Sequence, residues 1–260
     1  MFASPGEIAF KVFNYSVYWY GIIMAFAIIA GLSVISFIRR RFHPEVSKDF
    51  ILDLSFYIII GGIIGARLYY VLADIDYYSK FPAEIFALWH GGLSIHGAIL
   101  GGIVTGAIFT KSKNESFLKV ADICTFGLVT GQIIGRWGNF FNSEAFGLPT
   151  TLPWKLFIPL TKRPIEFYNL EYFHPTFLYE SILNVVILIF LTILLAKFTK
   201  LKAGTIFFSY FILYALARLV TESIRIDSIL NIYGIPIAKL ASIIFCIIGI
   251  SGLIVIYKRK

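Results

Sequence analysis

The sequence predicts an all-α polytopic membrane protein, and three observations carry that prediction. Of 260 residues, 58% are hydrophobic and 15% charged, whereas a soluble domain is about 45–50% apolar and about 25% charged. The apolar residues gather into seven runs, each near the roughly 20 residues that a hydrocarbon core of about 30 Å requires. Lys and Arg collect in alternate connections between those runs, the pattern that orients a chain across a bilayer.

The runs fall at about 17–38, 49–73, 91–110, 116–137, 175–197, 205–223 and 236–257. The first follows an N-terminal segment with no basic region, apolar core and small-residue cleavage site, so it reads as a membrane helix and not a cleaved signal. The second carries Gly61, Gly62 and Gly65, small residues that let a neighbouring helix approach closely. The third opens on a glycine-rich stretch, and the fourth holds Gly131, Gly135 and Gly138. Pro175 and Pro236 open the fifth and seventh, where a missing N–H is harmless. No internal repeat is visible, and the chain reads as a single membrane domain, 1–260. Between the fourth and fifth runs, residues 138–174 are rich in proline and aromatics. They read as a compact extracytoplasmic head on the membrane surface.

Orientation follows from the basic residues. Segments 39–48, 111–119, 197–204 and 258–260 carry 13 Lys and Arg in 30 residues. The alternate segments 1–16, 74–90, 138–174 and 224–235 carry 6 in 82. The first set belongs in the cytoplasm, with the N-terminus outside and the C-terminus inside. The same placement removes nucleic acid as a partner, because the net charge of +8 lies mostly in short loops between apolar runs. Cys124 and Cys246 both lie in apolar stretches and read as packing residues.

Ionisable groups inside a bilayer are costly and mark function. By alternation of direction, Arg67, His96, Arg136, Glu180, Arg218, Glu222 and Lys239 all fall toward the outer ends of their spans. Asp53 and Asp122, near inner ends, read as helix-start charges or structural pairs. Gln132, Arg136 and Asn139 share one face of the fourth helix, and Tyr214, Arg218, Glu222 and Arg225 one face of the sixth. Arg218 and Glu222 could neutralise each other at i, i+4, and Arg67 could be a snorkelling interfacial residue. His43 reads as inert, and His90 and His174 as structural hydrogen-bonding groups. His96 stands apart, in the segment from His90 to Gly97 where glycines leave room around a ring able to serve as a general base. The four histidines are far apart and no metal-binding motif is present, so no metal is expected.

The run Gly135-Arg136-Trp137-Gly138-Asn139-Phe140-Phe141-Asn142-Ser143-Glu144-Ala145-Phe146-Gly147 closely resembles the signature of the prolipoprotein diacylglyceryl transferase family. His90 to Gly97, Tyr18 to Gly21, Gly65 to Leu68, His174 to Glu180 and Arg218 to Arg225 resemble further segments of that family. Ser143 departs from the usual glycine, and Ala145-Phe146 from a common Leu-Trp pair. The resemblance implies a multi-pass enzyme of the bacterial cytoplasmic (inner) membrane with its site toward the outer leaflet. Its lipid substrate would be phosphatidylglycerol. Its acceptor would be the lipobox cysteine of a prolipoprotein signal peptide, and no cofactor would be needed. Under that reading Arg136 and Arg218 clamp the phosphodiester, and His96 is the base for the thiol or orients the head group. Tyr20, Asn139, Glu144 and Gly147 belong to the substrate-binding set, and Glu222 orients Arg218. The rival readings are a lipid or anion transporter or flippase using the same arginines, and a noncatalytic lipid-binding scaffold. A transporter should carry polar groups through to the inner side.

Overall fold

The computed structural model describes residues 2–198, 200–226, 231–232 and 235–258. Its α-helices are α1 (Trp19–Phe42), α2 (Lys48–Ala73), α3 (Ile75–Lys80), α4 (Ile95–Ser112), α5 (Phe117–Asn142), α6 (Thr176–Lys197), α7 (Thr205–Glu222) and α8 (Ile237–Lys258). Short strands accompany them: β1 (Phe2–Ala3), β2 (Ile8–Val12), β3 (Tyr15–Tyr18), β4 (Leu156–Phe157), β5 (Tyr172–Phe173), β6 (Asn231–Ile232) and β7 (Ile235–Pro236). Among the described residues, six helices are long and apolar enough to cross a membrane: α1, α2, α5, α6, α7 and α8. The remaining long helix, α4, coincides with the third expected span and is not one of these six. It carries four glycines, His96 and Lys111. Arg259 and Lys260, counted in the basic C-terminal tail, lie outside the described residues, as do 227–230 and 233–234 of the expected outer segment 224–235.

The chain divides into two compact units, 39–120 and the combination of 1–38 with 121–260. In the first, α2 and α4 pair through glycines. A Cβ at Gly65 would strike the Gly97 carbonyl and the Gly101 backbone, and one at Gly101 would strike the Gly61 carbonyl. Backbone contact at this distance is the small-residue packing expected of Gly61 and Gly65.

Arg67 does not snorkel. It is 7% exposed, and its guanidinium donates to loop carbonyls: Nε to Ile85 at 2.8 Å, Nη1 to Gly91 at 2.6 Å and to Gly92 at 2.9 Å, and Nη2 to Glu84 and Ala87. All five N–H donors of the side chain are thereby engaged. The loop carries two 3-10 turns, Pro82–Phe86 and Leu88–His90, and Arg67 ties both of them and the following Gly91-Gly92 to α2. Ser94 N–H adds a bond to the Ala66 carbonyl at 3.1 Å. At the far end of this unit, Glu45 accepts from Lys119 at 2.8 Å. That ammonium holds the Glu45 carboxyl at about 2, well below its ordinary range.

In the second unit, α5 carries a glycine stripe against α1. A Cβ at Gly31 would come within 2.9 Å of the Gly127 carbonyl, Met24 packs near Gly135, and the Tyr20 ring lies over Gly138. Ser181 of α6 donates to the Ile133 carbonyl of α5 at 2.9 Å. Asp122 of α5 accepts from Gly204 N–H at 2.7 Å and Phe207 N–H at 2.8 Å. It caps the open donors at the start of α7, the structural role expected of it. Gly249 and Gly252 of α8 pack on Phe208 of α7.

The head lies between α5 and α6. Its core is Phe146, Leu156, Ile158, Phe173 and Phe177, each at most 4% exposed. Fully burying one such side chain stabilises by about 1.5–3 kcal/mol. Strands β1, β4 and β5 form a three-stranded sheet in that order, β1 parallel and β5 antiparallel to β4, with Leu156 opposite both Phe2 and Phe173. The N-terminal segment, expected only as an outer stretch, folds as a β2–β3 hairpin. An ion pair from Glu7 to Lys162 at 2.6 Å links it to the head. Helix α5 continues to Asn142, so the insertion starts at 143 instead of 138. Pro175 precedes α6 as its N-cap, and Pro236 ends β7 before α8 begins.

Candidate active site

Helices α5, α6 and α7 of the second unit bring charged side chains to one point. Glu180 sits on the inward face of α6 with Phe177, Ser181 and Asn184. It is 5% exposed, yet it stands in the middle of three arginines. Arg136 of α5 places Nη2 2.6 Å from Glu180 Oε2. Arg218 of α7 places Nη1 2.6 Å from Glu180 Oε1. Arg225, just beyond α7, places Nη1 3.7 Å from that same oxygen. The second Arg218 nitrogen, Nη2, lies 2.8 Å from Glu222 Oε2 across one helical turn. The Arg218–Glu222 pair is thus real, but it is one edge of a larger network.

A second layer fixes this network. Gln132, one turn inward of Arg136, accepts from the buried Tyr210 hydroxyl at 3.0 Å, and Tyr210 stacks on Tyr214. Asn184 donates to the Glu180 carbonyl at 2.9 Å, and Thr221 to the Arg218 carbonyl at 3.2 Å.

The signature segment turns above Arg136. Asn139 and Asn142 both donate side-chain N–H to Glu144 Oε1, at 2.9 and 3.2 Å. Ser143 and Ala145 hold left-handed backbone, φ 51° and 54°, a conformation that glycine adopts without penalty and other residues rarely do. Thr176 hydroxyl donates to the Ala145 carbonyl. Gly147 pairs through its backbone with Arg225 and donates to the His174 carbonyl at 2.9 Å. A Cβ there would come within about 3 Å of Ile224, Thr176 and His174. Gly147 therefore lets the head segment lie flat against the backbone at Arg225. His174 and Tyr179 hydroxyl are 3.0 Å apart, and Trp154 Nε1–H donates to the same hydroxyl at 2.9 Å. Burial holds His174 below its ordinary value near 6.5, as befits a structural hydrogen-bonding group.

Of the residues singled out from sequence, Arg136, Arg218 and Glu222 meet through Glu180. Asn139 and Glu144 meet each other, Gly147 adjoins Arg225, and Tyr20 adjoins Gly138 two residues from Arg136. His96 belongs to the first unit. It is the second residue of α4, is exposed, and has the Tyr69 ring at 6.0 Å. It sits in the first turn of α4, which begins at Ile95 and not at 91 because Gly91 and Gly92 take φ of 87° and 77°, which no helix contains. His90 makes the structural bond expected of it, 2.8 Å to Glu84. Glu180 and Arg225 were not placed in the site from sequence. The signal for Glu180 was present, a carboxylate inside an apolar run.

Comparison with known proteins identifies the family of the chain. The family described as Prolipoprotein diacylglyceryl transferase matches residues 7–255. A phosphatidylglycerol–prolipoprotein diacylglyceryl transferase of Acaryochloris marina is 47% identical over all of this chain and 94% of its own length. Proteins of the same description from Nostoc sp. and Synechocystis sp. are 43% and 40% identical, over 100% and 98% of this chain and 92% and 91% of their own. With the family matched over residues 7–255 and relatives 40–47% identical along nearly the whole chain, the chain belongs to the prolipoprotein diacylglyceryl transferase family.

Proposed function

We infer that this chain is a membrane transferase that moves the diacylglyceryl group of phosphatidylglycerol to a prolipoprotein. The acceptor is the thiol of the lipobox cysteine, and the products are a thioether and glycerol 1-phosphate. The reaction is displacement at an sp³ carbon. The thiolate sulfur forms a bond to the terminal glycerol carbon of the diacylglyceryl group, and the bond from that carbon to the phosphate oxygen breaks. The thiol proton passes to a base, and the electron pair of the broken bond stays on the departing phosphate.

The observation that carries this reading is the convergence of Arg136 and Arg218, from two helices, on the buried Glu180. Each holds that carboxylate through one nitrogen, and the five N–H donors of a guanidinium fork exceed that need, so the pair can also present donors to a phosphodiester. Charge grows on the phosphate during displacement, and preorganised N–H donors stabilise that growth most where water is excluded. Arg136 and Arg218 are the residues for this role. Glu222 fixes the second nitrogen of Arg218. Tyr20, Asn139 and Glu144 surround the outer turn of α5 and are placed to bind the glycerol head group. Gly147 keeps the head segment close to Arg225. The family resemblance makes His96, in the first unit, the base for the thiol or a group that orients the head group. The site faces the outer leaflet of the bacterial cytoplasmic membrane, a reading supported by the distribution of basic residues.

The test is reconstitution of the pure chain in phosphatidylglycerol vesicles with a lipobox peptide. The expected result is a peptide heavier by one diacylglyceryl group, with one glycerol 1-phosphate released per peptide. Lipid movement between leaflets with an unmodified peptide would establish the flippase reading instead.

A further inference from the structure

Asp53 is a charged residue that the fold alone does not account for. It is the sixth residue of α2, beyond the first turn in which a helix dipole favours a carboxylate. Among the described residues it makes no ion pair or hydrogen bond. Neither role expected of it, helix-start charge or structural pair, therefore applies, and an ionisable group in an apolar span marks function. Asp53 lines a cavity of about 390 Å³ between α2 and α4, inside the 39–120 unit. The two helices touch at Gly61, where a Cβ would strike the Thr105 side chain. From that contact toward the start of α2, the cavity runs past Tyr57, Thr105 and Phe109 to Asp53, Ser112 and Lys113. Phe109 is buried, with the rings of Phe50 and Tyr57 each 5.3 Å away. The Lys113 ammonium lies 5.8 Å from the centre of the Phe109 ring and, among the described residues, pairs with no carboxylate. One acid and one base thus face the same space without neutralising each other.

We propose that this cavity binds the head group of a zwitterionic phospholipid, with its ammonium at Asp53 and its phosphate at Lys113. Lys113 alone would suit any anionic lipid, but Asp53 repels a head group carrying only negative charge. Asp53 alone would suit a simple cation, but Lys113 repels one. Together they select a head group that carries both signs. A primary ammonium has three N–H donors, and the Asp53 carboxylate and the Tyr57 hydroxyl oxygen can accept them. The cavity volume falls in the range of about 300–1,000 Å³ usual for small-ligand sites. Ile108 lines the same cavity and is 65% exposed, which offers an acyl chain an apolar path along α4. Asp53 lies 14 residues from Arg67 on α2, about 21 Å along the helix axis. On the topology expected from the basic residues, this end of the α2–α4 pair meets the cytoplasmic leaflet, opposite the leaflet of the donor lipid.

The test is photolabelling of the full chain in a non-ionic detergent. Phosphatidylethanolamine and phosphatidylglycerol are compared, each with a photoreactive group near the top of one acyl chain, and the labelled residues are mapped. Phosphatidylethanolamine should label 53–57 and 105–113 about tenfold more than phosphatidylglycerol does, the size of one charge-assisted hydrogen bond. Asp53→Asn should abolish that preference, and Lys113→Gln should lower labelling of these segments by both lipids. Neither side chain ties one helix to another, so both variants should fold, with unchanged transfer activity as the check. Equal labelling by the two lipids on the unmodified chain, or a preference that survives Asp53→Asn, overturns the proposal. Soluble phosphoethanolamine at the concentration of the lipid should not displace it. Displacement would give the cavity a water-soluble occupant and overturn the lipid assignment. Loss of labelling on adding a lipobox peptide with a basic N-terminus would assign the cavity to that peptide instead.

Discussion

Arg136 offers the sharpest test at the scale of single residues. Lysine in its place keeps the charge but has no planar fork, so it cannot both hold Glu180 and present paired donors to a phosphate. Arg136→Lys should fold and insert yet lose about 10²–10³-fold in turnover, the typical loss when a donor to developing charge is removed. Turnover within tenfold of normal would reduce Arg136 to an electrostatic anchor. His96 tests the other half of the reaction. Gln keeps hydrogen bonding and cannot take a proton, so His96→Gln should bind phosphatidylglycerol normally and lose about 10²–10⁴-fold in transfer, the usual contribution of a general base. A smaller loss, under about tenfold, would assign His96 to positioning. The sequence made Arg136, Arg218 and His96 visible because ionisable groups in apolar runs are expensive. It did not make Glu180 the hub. Helical spacing shows which residues share a face of one helix, and the pairing of Glu180 with Arg136 and Arg218 joins three helices.

Arg67 shows how an element depends on one side chain. The loop between α3 and α4 has little regular structure beyond two 3-10 turns, and its exposed aromatics Phe81, Phe86 and Trp89 do not form a core. Its order comes from five carbonyls converging on one guanidinium. Lysine provides three donors from a single point and cannot span that set. Arg67→Lys should therefore leave α2 and α4 folded while amide exchange across 81–94 quickens by about tenfold or more, read by hydrogen–deuterium exchange. Uniform exchange throughout the unit, or none, would count against this role. The helices themselves were legible to within a few residues, because hydropathy and length mark them directly. Ends set by backbone conformation were not. The start of α4 moves from 91 to 95 because of positive φ at Gly91 and Gly92, and α5 runs past Gly138 to a left-handed Ser143. The strands of the head and the β2–β3 hairpin were missed because two- to five-residue strands carry no usable alternation.

For the whole molecule, the decisive property is orientation, since it fixes the leaflet whose lipid reaches the arginines. The basic count of 13 in 30 residues against 6 in 82 predicts that 39–48, 111–119 and 197–204 lie in the cytoplasm. That reading requires seven crossings, with α4 added to the six helices long and apolar enough to span. If α4 did not cross, every segment after it would change sides, and Arg136, Glu180 and Arg218 would face the cytoplasm. The two arrangements separate cleanly by labelling. Leu160 and Lys113 are both exposed in the fold, so a cysteine at either position is accessible to a reagent on its own side. In a background with Cys124 and Cys246 replaced, a membrane-impermeant thiol reagent added to intact cells should modify a cysteine at 160 and spare one at 113, with 113 becoming reactive once the membrane is opened. Labelling at 113 in intact cells, or protection at 160, would move the cluster to the inner leaflet. The thiol of an exported prolipoprotein would then have to be modified before it crossed.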